Sequence, residues 1–256
     1  MPHQFILTPY FLDEPTPGLR SLYAEGWQWN DPELPNDDQQ GRMTAIHRPL
    51  AEKVADAVKS GKTPVSIAGD CCTTLGMIAG LQKAELNPVL VWFDAHGDFN
   101  TWETTPSGFL GGMPLAMLTG RGELRMANAV GMQTLPDTDV ILTDGRDLDA
   151  GEQKLVDESD LYYLPNTPDL LTHPLPERPL YIHFDTDILR PEDAPAMRYL
   201  AKGGPTVDEM AQVFRHLAKT GQIAAVSVSA WNPAMEGAAR SQENSLMLLN
   251  TLLEQI

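Results

Sequence analysis

Basic side chains are scarce in this chain of 256 residues, which has 18 Lys and Arg against 35 Asp and Glu and a formal net charge of −17. So acidic a chain is poorly suited to a partner that is held through its phosphates, and we predict no nucleic-acid partner. Long apolar runs are lacking as well. Because no run approaches the roughly 20 residues that a membrane span needs, we expect no membrane partner either.

Cysteine is nearly absent, since the chain contains only two cysteines, the adjacent Cys71 and Cys72. Two neighbouring cysteines cannot build a disulfide framework, which favours a reducing compartment. The segment Met1–Leu7 has neither the basic start nor the apolar stretch of a secretory signal, so we expect a cytoplasmic protein. The glycine-rich phosphate loop of Walker type and the Gly-x-Ser-x-Gly motif are also missing.

What the sequence contains is an alternation of short apolar strands and helices, which is typical of a parallel sheet with both faces covered. The predicted strands are Pro64–Ala68, Val89–Phe93, Val140–Thr143, Leu180–Phe184 and Ile223–Ser229. The predicted helices span about Thr44–Ser60, Thr74–Leu86, Gly112–Leu118, Gly151–Glu158, Thr206–Lys219 and Arg240 to the C-terminus. Within the first helix, Pro49 is expected either to introduce a kink or to mark the first turn.

Two stretches have the composition of loops: the acidic Asn30–Gly41 and the proline-rich Tyr163–Pro179. Neither stretch separates two complete sets of strands and helices. The length suits one large α/β domain, and we predict a single domain over residues 1–256.

Acidic residues follow two of the best predicted strands directly. They are Asp94 and Asp98, with His96 between them, after the first strand, and Asp185 and Asp187 after the second. In α/β sheets ligands bind beyond the carboxyl ends of the strands, and residues two apart in extended chain share a face. These side chains are therefore expected to converge in one crevice.

Four carboxylates in one crevice repel one another unless cations hold them together. Oxygen-rich ligands with one imidazole suit Mn²⁺ better than a structural zinc, and four carboxylates balance the charge of two divalent ions. The alternative is that these acids cap helices or line a wet rim. That alternative explains a single Asp well, but it explains two strands with the same spacing poorly.

Asp94-Ala-His-Gly-Asp98 and Asp185-Thr-Asp187 resemble the two metal motifs of the arginase, or ureohydrolase, family. The resemblance runs from about Ala68 to Pro233 and is most specific from Asp94 to Pro114. It implies a three-layer α/β fold with a mostly parallel central sheet, and a hydrolase that acts on linear amidines with two Mn²⁺ ions.

By this resemblance Asp94 and Asp185 bridge the two ions, Asp98 completes the first site, and His96 and Asp187 belong to the second. The predicted catalytic residues are Asp94, Asp98 and Asp185. Cys71, in Ala68-Gly-Asp-Cys71, stands where the family has a histidine ligand of the first metal. The alternative for Cys71 is a small buried hydrophobic residue, which is the commonest role of a free cysteine.

The resemblance also implies how a substrate is held. Asn100 and Ser107, with Thr105 between them, stand where arginases bind the α-carboxylate of arginine, and Asp149 and Glu152 stand where they receive the α-amino group. Neutral donors facing a carboxylate and carboxylates facing an ammonium are chemically reasonable. The alternative is a loop that uses Asn, Ser and Thr to satisfy its own backbone.

Three further positions depart from the arginase pattern. Gly111 replaces a proton-transferring histidine, Ala230 replaces a glutamate that pairs with the guanidinium, and Arg190 replaces an Asp beyond the second metal motif. Together with Cys71, Gly111 makes the chain resemble the Nω-hydroxy-L-arginine hydrolases of D-cycloserine biosynthesis. The preferred reaction is therefore cleavage of Nω-hydroxy-L-arginine to ornithine and hydroxyurea. The alternatives are arginine cleavage to ornithine and urea, or a catalytically weak sensor that binds metal. A monomer or small homo-oligomer is expected, because little beyond the last helix resembles the tail of arginase trimers.

Overall fold

The computed structural model describes residues 2–254, and its centre is an eight-stranded parallel sheet. The strands of this sheet are β1 (His3–Thr8), β4 (Gln28–Trp29), β5 (Thr63–Ala68), β6 (Val89–Asp94), β7 (Val140–Asp144), β8 (Tyr162–Leu164), β9 (Leu180–Asp185) and β10 (Ile223–Ser229). Their order across the sheet is β4-β1-β5-β10-β9-β6-β7-β8. A small antiparallel pair, β2 (Tyr10–Phe11) and β3 (Glu14–Pro15), lies outside it.

Helices cover both faces of the sheet, which confirms the predicted three-layer α/β class. They are α1 (Gln39–Lys59), α2 (Thr74–Lys83), α3 (Pro114–Leu118), α4 (Arg125–Ala129), α5 (Ala150–Asp157), α6 (Val207–Lys219) and α7 (Ala238–Leu253). Successive strand residues point to opposite faces of the sheet and so belong to two separate buried clusters. Trp92 packs with α1 and α2 in one cluster, while its neighbour Phe93 packs with α6 and α7 in the other. Of the described residues, no helix combines the length and the apolar character that crossing a membrane requires.

The predicted and observed elements agree closely for the central strands and less well at the edges. The strand Ile223–Ser229 and the helix end at Lys219 are confirmed. The strand β1 and the short edge strands β4 and β8 were not predicted, and most of β8 lies in the stretch that we interpreted as a loop. Short edge strands lack the continuous apolar run that identifies strands buried on both faces. The last two residues of the predicted C-terminal helix lie outside the described part of the chain.

The start of the first helix was predicted wrongly. The helix begins at Gln39 instead of Thr44, because the Asp38 side chain accepts a hydrogen bond from the Gly41 N–H at 2.8 Å and caps it. Pro49 therefore lies inside the helix and does not mark its first turn.

Glycines of α2 allow it to lie very close to α1. A β-carbon at Gly80 would stand 2.5 Å from the carbonyl oxygen of Ala51 and 2.6 Å from Cβ of Val54. A β-carbon at Gly76 would stand 2.8 Å from the carbonyl oxygen of His47. The close packing of α2 against α1 fixes the position of these two helices, which the loop after β5 contacts.

We predict that Gly80→Ala destabilises the protein by about 1–3 kcal/mol, because the methyl group would overlap the backbone of α1. The loss is expected even though alanine favours a helix over glycine by about 1 kcal/mol. Gly112→Ala is the control, since a β-carbon there meets nothing within 4 Å. Urea unfolding measures both variants, and equal stability of Gly80→Ala and the unsubstituted protein would contradict the prediction.

Candidate metal and substrate site

A cavity of about 360 Å³ opens at the carboxyl ends of the four neighbouring strands β5, β10, β9 and β6. All six predicted metal ligands line it: Cys71, Asp94, His96, Asp98, Asp185 and Asp187. The cavity forms here because each of these strands delivers its following loop to the same edge of the sheet. The prediction that the acidic residues meet in one crevice is confirmed.

Asp94 and Asp185 occupy equivalent positions at the ends of β6 and β9, whose preceding residues Phe93 and Phe184 are paired in register. Each carboxylate accepts a hydrogen bond from the backbone N–H two residues later. Oδ1 of Asp94 accepts from His96 at 2.8 Å, and Oδ1 of Asp185 accepts from Asp187 at 2.8 Å. The same local turn thus orients both motifs.

His96 bridges carboxylates of the two motifs. Its Nδ1 lies 3.1 Å from Oδ2 of Asp187 and 3.4 Å from Oδ1 of Asp94. Burial lowers the pKa of His96, but the hydrogen bonds to Asp187 and Asp94 outweigh burial and raise this pKa to about 12. The imidazole therefore carries a proton that a cation bound at this nitrogen would have to replace.

Cys71 is held at the acidic cluster by its neighbour Asp70. The two carboxylate oxygens of Asp70 accept hydrogen bonds from the N–H groups of Leu12 and Cys72, each at 2.8 Å. The Cys71 sulfur lies 2.8 Å from Oδ2 of Asp185 and 3.0 Å from Oγ of Ser229. Burial, and then the charge of Asp185, raise the pKa of the Cys71 thiol well above its usual value. By contrast, Cys72 is fully buried and its thiol lies 3.8 Å from the carbonyl oxygen of Leu110.

Asp98 carries the least compensated carboxylate of the cluster. Its backbone has φ of 48°, in the left-handed region, and among the described residues its buried Oδ2 has no hydrogen-bond partner. Burial and the charge of Asp94 raise the pKa of Asp98 well above its usual value. Burial and neighbouring charge also raise the pKa values of Asp94, Asp185 and Asp187.

Two groups of side chains in the described part of the chain are spaced to hold a cation. In each group the donor atoms lie within 4.8 Å of one another, and Asp94 belongs to both. One group is Asp94, His96 and Asp187, and the other is Cys71, Asp94 and His183. Buried carboxylates with raised pKa values and an orphaned oxygen fit divalent cations, because cations supply the missing positive charge.

The predicted substrate residues also line the cavity, where Asn100 and Asp149 are in direct contact. Nδ2 of Asn100 donates to Oδ2 of Asp149 at 3.0 Å. Glu152 is almost fully buried, and its two oxygens accept from the N–H groups of Phe99 at 2.7 Å and Asp149 at 3.2 Å. Burial raises the pKa of Glu152 to about 7. Glu152 thus fixes the segments that carry Asn100 and Asp149.

Thr105 and Ser107 lie in the loop that follows β6, with their hydroxyl oxygens 3.4 Å apart. Oγ1 of Thr105 accepts from the Gly108 N–H at 3.1 Å, and Oγ of Ser107 accepts from the Phe109 N–H at 3.2 Å. These contacts satisfy the loop backbone, as the alternative interpretation required. Both residues nonetheless line the cavity, and a hydroxyl that accepts a hydrogen bond can still donate one.

An aromatic ring occupies the space beside Gly111. A β-carbon at this glycine would lie 2.4 Å from two ring carbons of Phe109. The Phe109 ring packs against Phe11, at 6.2 Å between centroids, and against Tyr199, at 5.0 Å. A larger side chain at position 111 would require this ring to move.

Two other features of the cavity wall could not be placed from the sequence. Ala230 lines the cavity without contributing a charge, whereas the nearby Glu236 is exposed. Arg198 also lines the cavity, and its guanidinium lies 4.0 Å from the centre of the Phe11 ring. The mouth is therefore aromatic and positively charged at one point, while the floor is acidic.

Two supporting residues were missed by sequence reasoning. Nε1 of Trp92 donates to Oδ2 of Asp94 at 3.1 Å. Arg146 donates to the carbonyl oxygens of Asp187 and Ile188, at 3.3 and 3.0 Å, and so fixes the loop after β9. The Arg146 contacts join residues 41 and 42 positions apart and have no local sequence signal. Trp92 and Asp94, by contrast, are two residues apart on β6 and share a face of that strand.

Comparison with known proteins identifies this arrangement. The sequence profile of the arginase family matches residues 28–255. The chain belongs to the arginase family. Arginase of Bacillus subtilis is 29% identical over 88% of this chain and 81% of its own length. The hepatic arginase of Aquarana catesbeiana is 30% identical over 88% of this chain and 76% of its own length.

Solved arginase structures share the whole fold. The crystal structure of the Bacillus subtilis arginase covers 100% of this chain and 99% of its own, with 25% identity and a TM-score of 0.84. The native structure of the Bacillus caldovelox arginase, at 23% identity and a TM-score of 0.85, supports the fold alone. The arginase family consists of hydrolases that act on amidines, so membership also confirms the predicted enzyme class.

We predict that Asp98→Asn stabilises the metal-free protein at neutral pH. Because the pKa of Asp98 is raised in the folded protein, its carboxyl group loses its proton more readily in the unfolded state, where the pKa has its ordinary value of 3.8. The charged carboxylate therefore lowers the free energy of unfolding as pH rises above 3.8 and has no such effect well below that pH. Asparagine removes the charge and tolerates positive φ. The midpoint of thermal unfolding should rise by about 2–4 °C for each kcal/mol of repulsion removed.

Differential scanning calorimetry between pH 4 and 8 tests this prediction, and the gain should grow with pH. The control is Asp137→Asn, which removes a carboxylate that Arg121 binds at 2.6 Å and whose pKa that hydrogen bond lowers, so it should destabilise. Added Mn²⁺ should raise the midpoint of the unsubstituted protein more than that of Asp98→Asn. The opposite pattern would show that the acidic cluster is not a cation site.

Proposed function

We propose that this arginase-family member hydrolyses the guanidine-type group of an arginine-like amino acid, with two Mn²⁺ ions, and that its preferred substrate is Nω-hydroxy-L-arginine. The observation that carries the proposal is the arrangement of one cavity. Six donor side chains form its floor, and the contacting pair Asn100 and Asp149 lies in its wall. Donor side chains that can hold cations on the floor, next to polar groups in the wall, suit the hydrolysis of a small polar substrate.

Cys71, Asp94, His96, Asp98, Asp185 and Asp187 would hold the two ions. Bound divalent ions would supply Lewis-acid charge and make a water molecule nucleophilic near neutral pH. Oδ2 of Asp98 is assigned to receive the proton that the attacking water loses, because Asp98 lines the cavity and this oxygen has no partner among the described residues.

The wall groups would recognise the amino-acid end of the substrate. The amide N–H of Asn100, with the hydroxyls of Thr105 and Ser107, would donate to the α-carboxylate. Asp149 would accept from the α-ammonium, with Glu152 holding its backbone in place. In the free protein Asn100 and Asp149 satisfy each other at 3.0 Å, so a zwitterionic amino acid would replace one internal contact with two complementary ones.

The part of the cavity near the reacting group favours a weakly basic substrate. Ala230 offers no carboxylate to pair with a guanidinium, and the Phe109 ring fills the space beside Gly111. A hydroxyguanidine is much less basic than a guanidinium and can bind as a neutral group. Hydrolysis of its C–N bond by one water molecule would give ornithine and hydroxyurea.

Arginine is the second candidate substrate, because the curated relatives that the chain matches over most of its length are named arginases. The acidic residues of the cavity would attract a guanidinium even without a carboxylate at Ala230. Hydrolysis of arginine at the same site would release ornithine and urea.

A side-by-side assay of the two compounds with Mn²⁺ supplied tests the proposal. We expect kcat/KM for Nω-hydroxy-L-arginine to exceed that for L-arginine by about tenfold or more, equivalent to roughly 1.4 kcal/mol of transition-state stabilisation. Ornithine release measures both reactions, and hydroxyurea and urea are separated by chromatography. Faster turnover of arginine would reject the preferred substrate. Binding of either compound with no product would instead support a sensor.

We predict that Asp149→Asn raises KM for the amino-acid substrate by about tenfold or more and leaves kcat within a few-fold. The expected cost, about 1.5–3 kcal/mol, is that of losing a hydrogen bond to a charged group away from the reacting bond. Asp157→Asn, at an exposed residue of the helix α5 that Asp149 caps, should leave KM unchanged. A lower kcat with unchanged KM would place Asp149 at the reacting group instead.

A further inference from the structure

His183 is a buried histidine beneath the acidic cluster that no step of the proposed reaction uses. It lies on β9 two residues before Asp185, so the two side chains share a face of the sheet. Its register partners are Trp92 on β6 and Ser227 on β10. The side chain is fully buried, with 0% of its surface exposed.

The orientation of the His183 ring is fixed from two sides. Nδ1 lies 2.7 Å from Oγ of Ser227, which in turn lies 2.6 Å from the hydroxyl of Tyr181. The ring packs on Trp92, with 4.0 Å between centroids. Nε2 is buried and has no hydrogen-bond partner among residues 2–254. A buried ring nitrogen that has no hydrogen-bond partner lowers the stability of the folded protein unless a ligand binds to it.

Nε2 is the nitrogen available to such a ligand, because Ser227 already engages Nδ1. One nitrogen of His183, the sulfur of Cys71 and a carboxylate oxygen of Asp94 all lie within 4.8 Å of one another. The second group, Asp94 with His96 and Asp187, has the same make-up of one imidazole, the shared Asp94 and a third donor. The two groups approach different oxygens of Asp94, because the Cys71 sulfur lies 3.8 Å from Oδ2 and Nδ1 of His96 lies 3.4 Å from Oδ1.

We infer that His183 is a ligand, through Nε2, of the cation on the Cys71 side of the site. The inference rests on the cation-dependent hydrolase proposed above and adds a nitrogen ligand from inside the sheet. The Ser227 hydroxyl, held by Tyr181, would orient the imidazole as polar partners orient other metal-binding histidines.

The inferred ligand set differs between the two sides of Asp94. Nitrogen, thiolate and carboxylate on the Cys71 side suit borderline divalent ions such as Co²⁺ and Zn²⁺, whereas the His96 side, with two carboxylates, is harder. The Cys71 side is thus expected to prefer Co²⁺ over Mn²⁺. Because a thiolate bound to Co²⁺ absorbs in the near ultraviolet, this side has a spectroscopic signal of its own.

The test is a Co²⁺ titration of the metal-free full-length protein, followed by the thiolate–cobalt absorption. His183→Gln is compared with His47→Gln, which also replaces a fully buried histidine with an unpartnered ring nitrogen, but on α1. We expect His183→Gln to weaken the Co²⁺ binding that produces this band by about tenfold or more, and His47→Gln to titrate like the unsubstituted protein. A His183→Gln titration identical to that of the unsubstituted protein would overturn the inference, as would Co²⁺ binding without the band.

A second measurement covers the case in which His183→Gln does not fold. The unsubstituted protein, labelled with ¹⁵N-histidine, is loaded with diamagnetic Zn²⁺ and examined by NMR. A large change of the His183 Nε2 shift supports the inference, and an unchanged shift overturns it. Activity separates this result from the proposed function, because a chain that binds through His183 but cleaves neither arginine nor hydroxyarginine would refute only the latter.

Discussion

Electrostatic repulsion among buried carboxylates is the constraint on which the site depends. Parallel strands end at the same edge of the sheet, so the acids that follow β6 and β9 are brought together by the fold itself. Burial and mutual charge raise the pKa values of Asp94, Asp98, Asp185 and Asp187. This unfavourable charge is concentrated at one place, where a bound cation would compensate it.

Apart from the protonated His96, the surrounding residues hold these acids in place without cancelling their charge. Trp92 donates a neutral N–H to Asp94, and backbone N–H groups serve Asp94 and Asp185. Arg146 binds main-chain carbonyls of the loop after β9, including that of Asp187. Most of the chain's excess negative charge is on the surface, whereas these four acids need positive charge from a ligand. Rigid, incompletely neutralised carboxylates are the arrangement that a cation site requires.

The floor and the mouth of the cavity place different demands on a substrate. The floor is acidic and fixed by strand ends, while Phe11, Phe109 and Tyr199 make the mouth aromatic, with Arg198 lying over Phe11. The Phe109 ring takes the space beside Gly111, so a larger side chain at position 111 would require this ring to move. Family membership defines the reaction class, and these few wall residues bear on the substrate.

The local pattern of the sequence determined the α/β class, the central strands and the residues of the acidic floor, because apolar runs followed by closely spaced acids are local signals. Only the tertiary structure decided what these residues face. It placed the side chain of Phe109 beside Gly111 and directed the carboxylate of Glu152 to backbone N–H groups. It also brought His183 within reach of Cys71, 112 positions earlier in the chain. The approach of Glu152 to Phe99 and of His183 to Cys71 joins residues that are far apart in the chain, and it depends on the packing of strands and loops, which no short stretch of sequence contains.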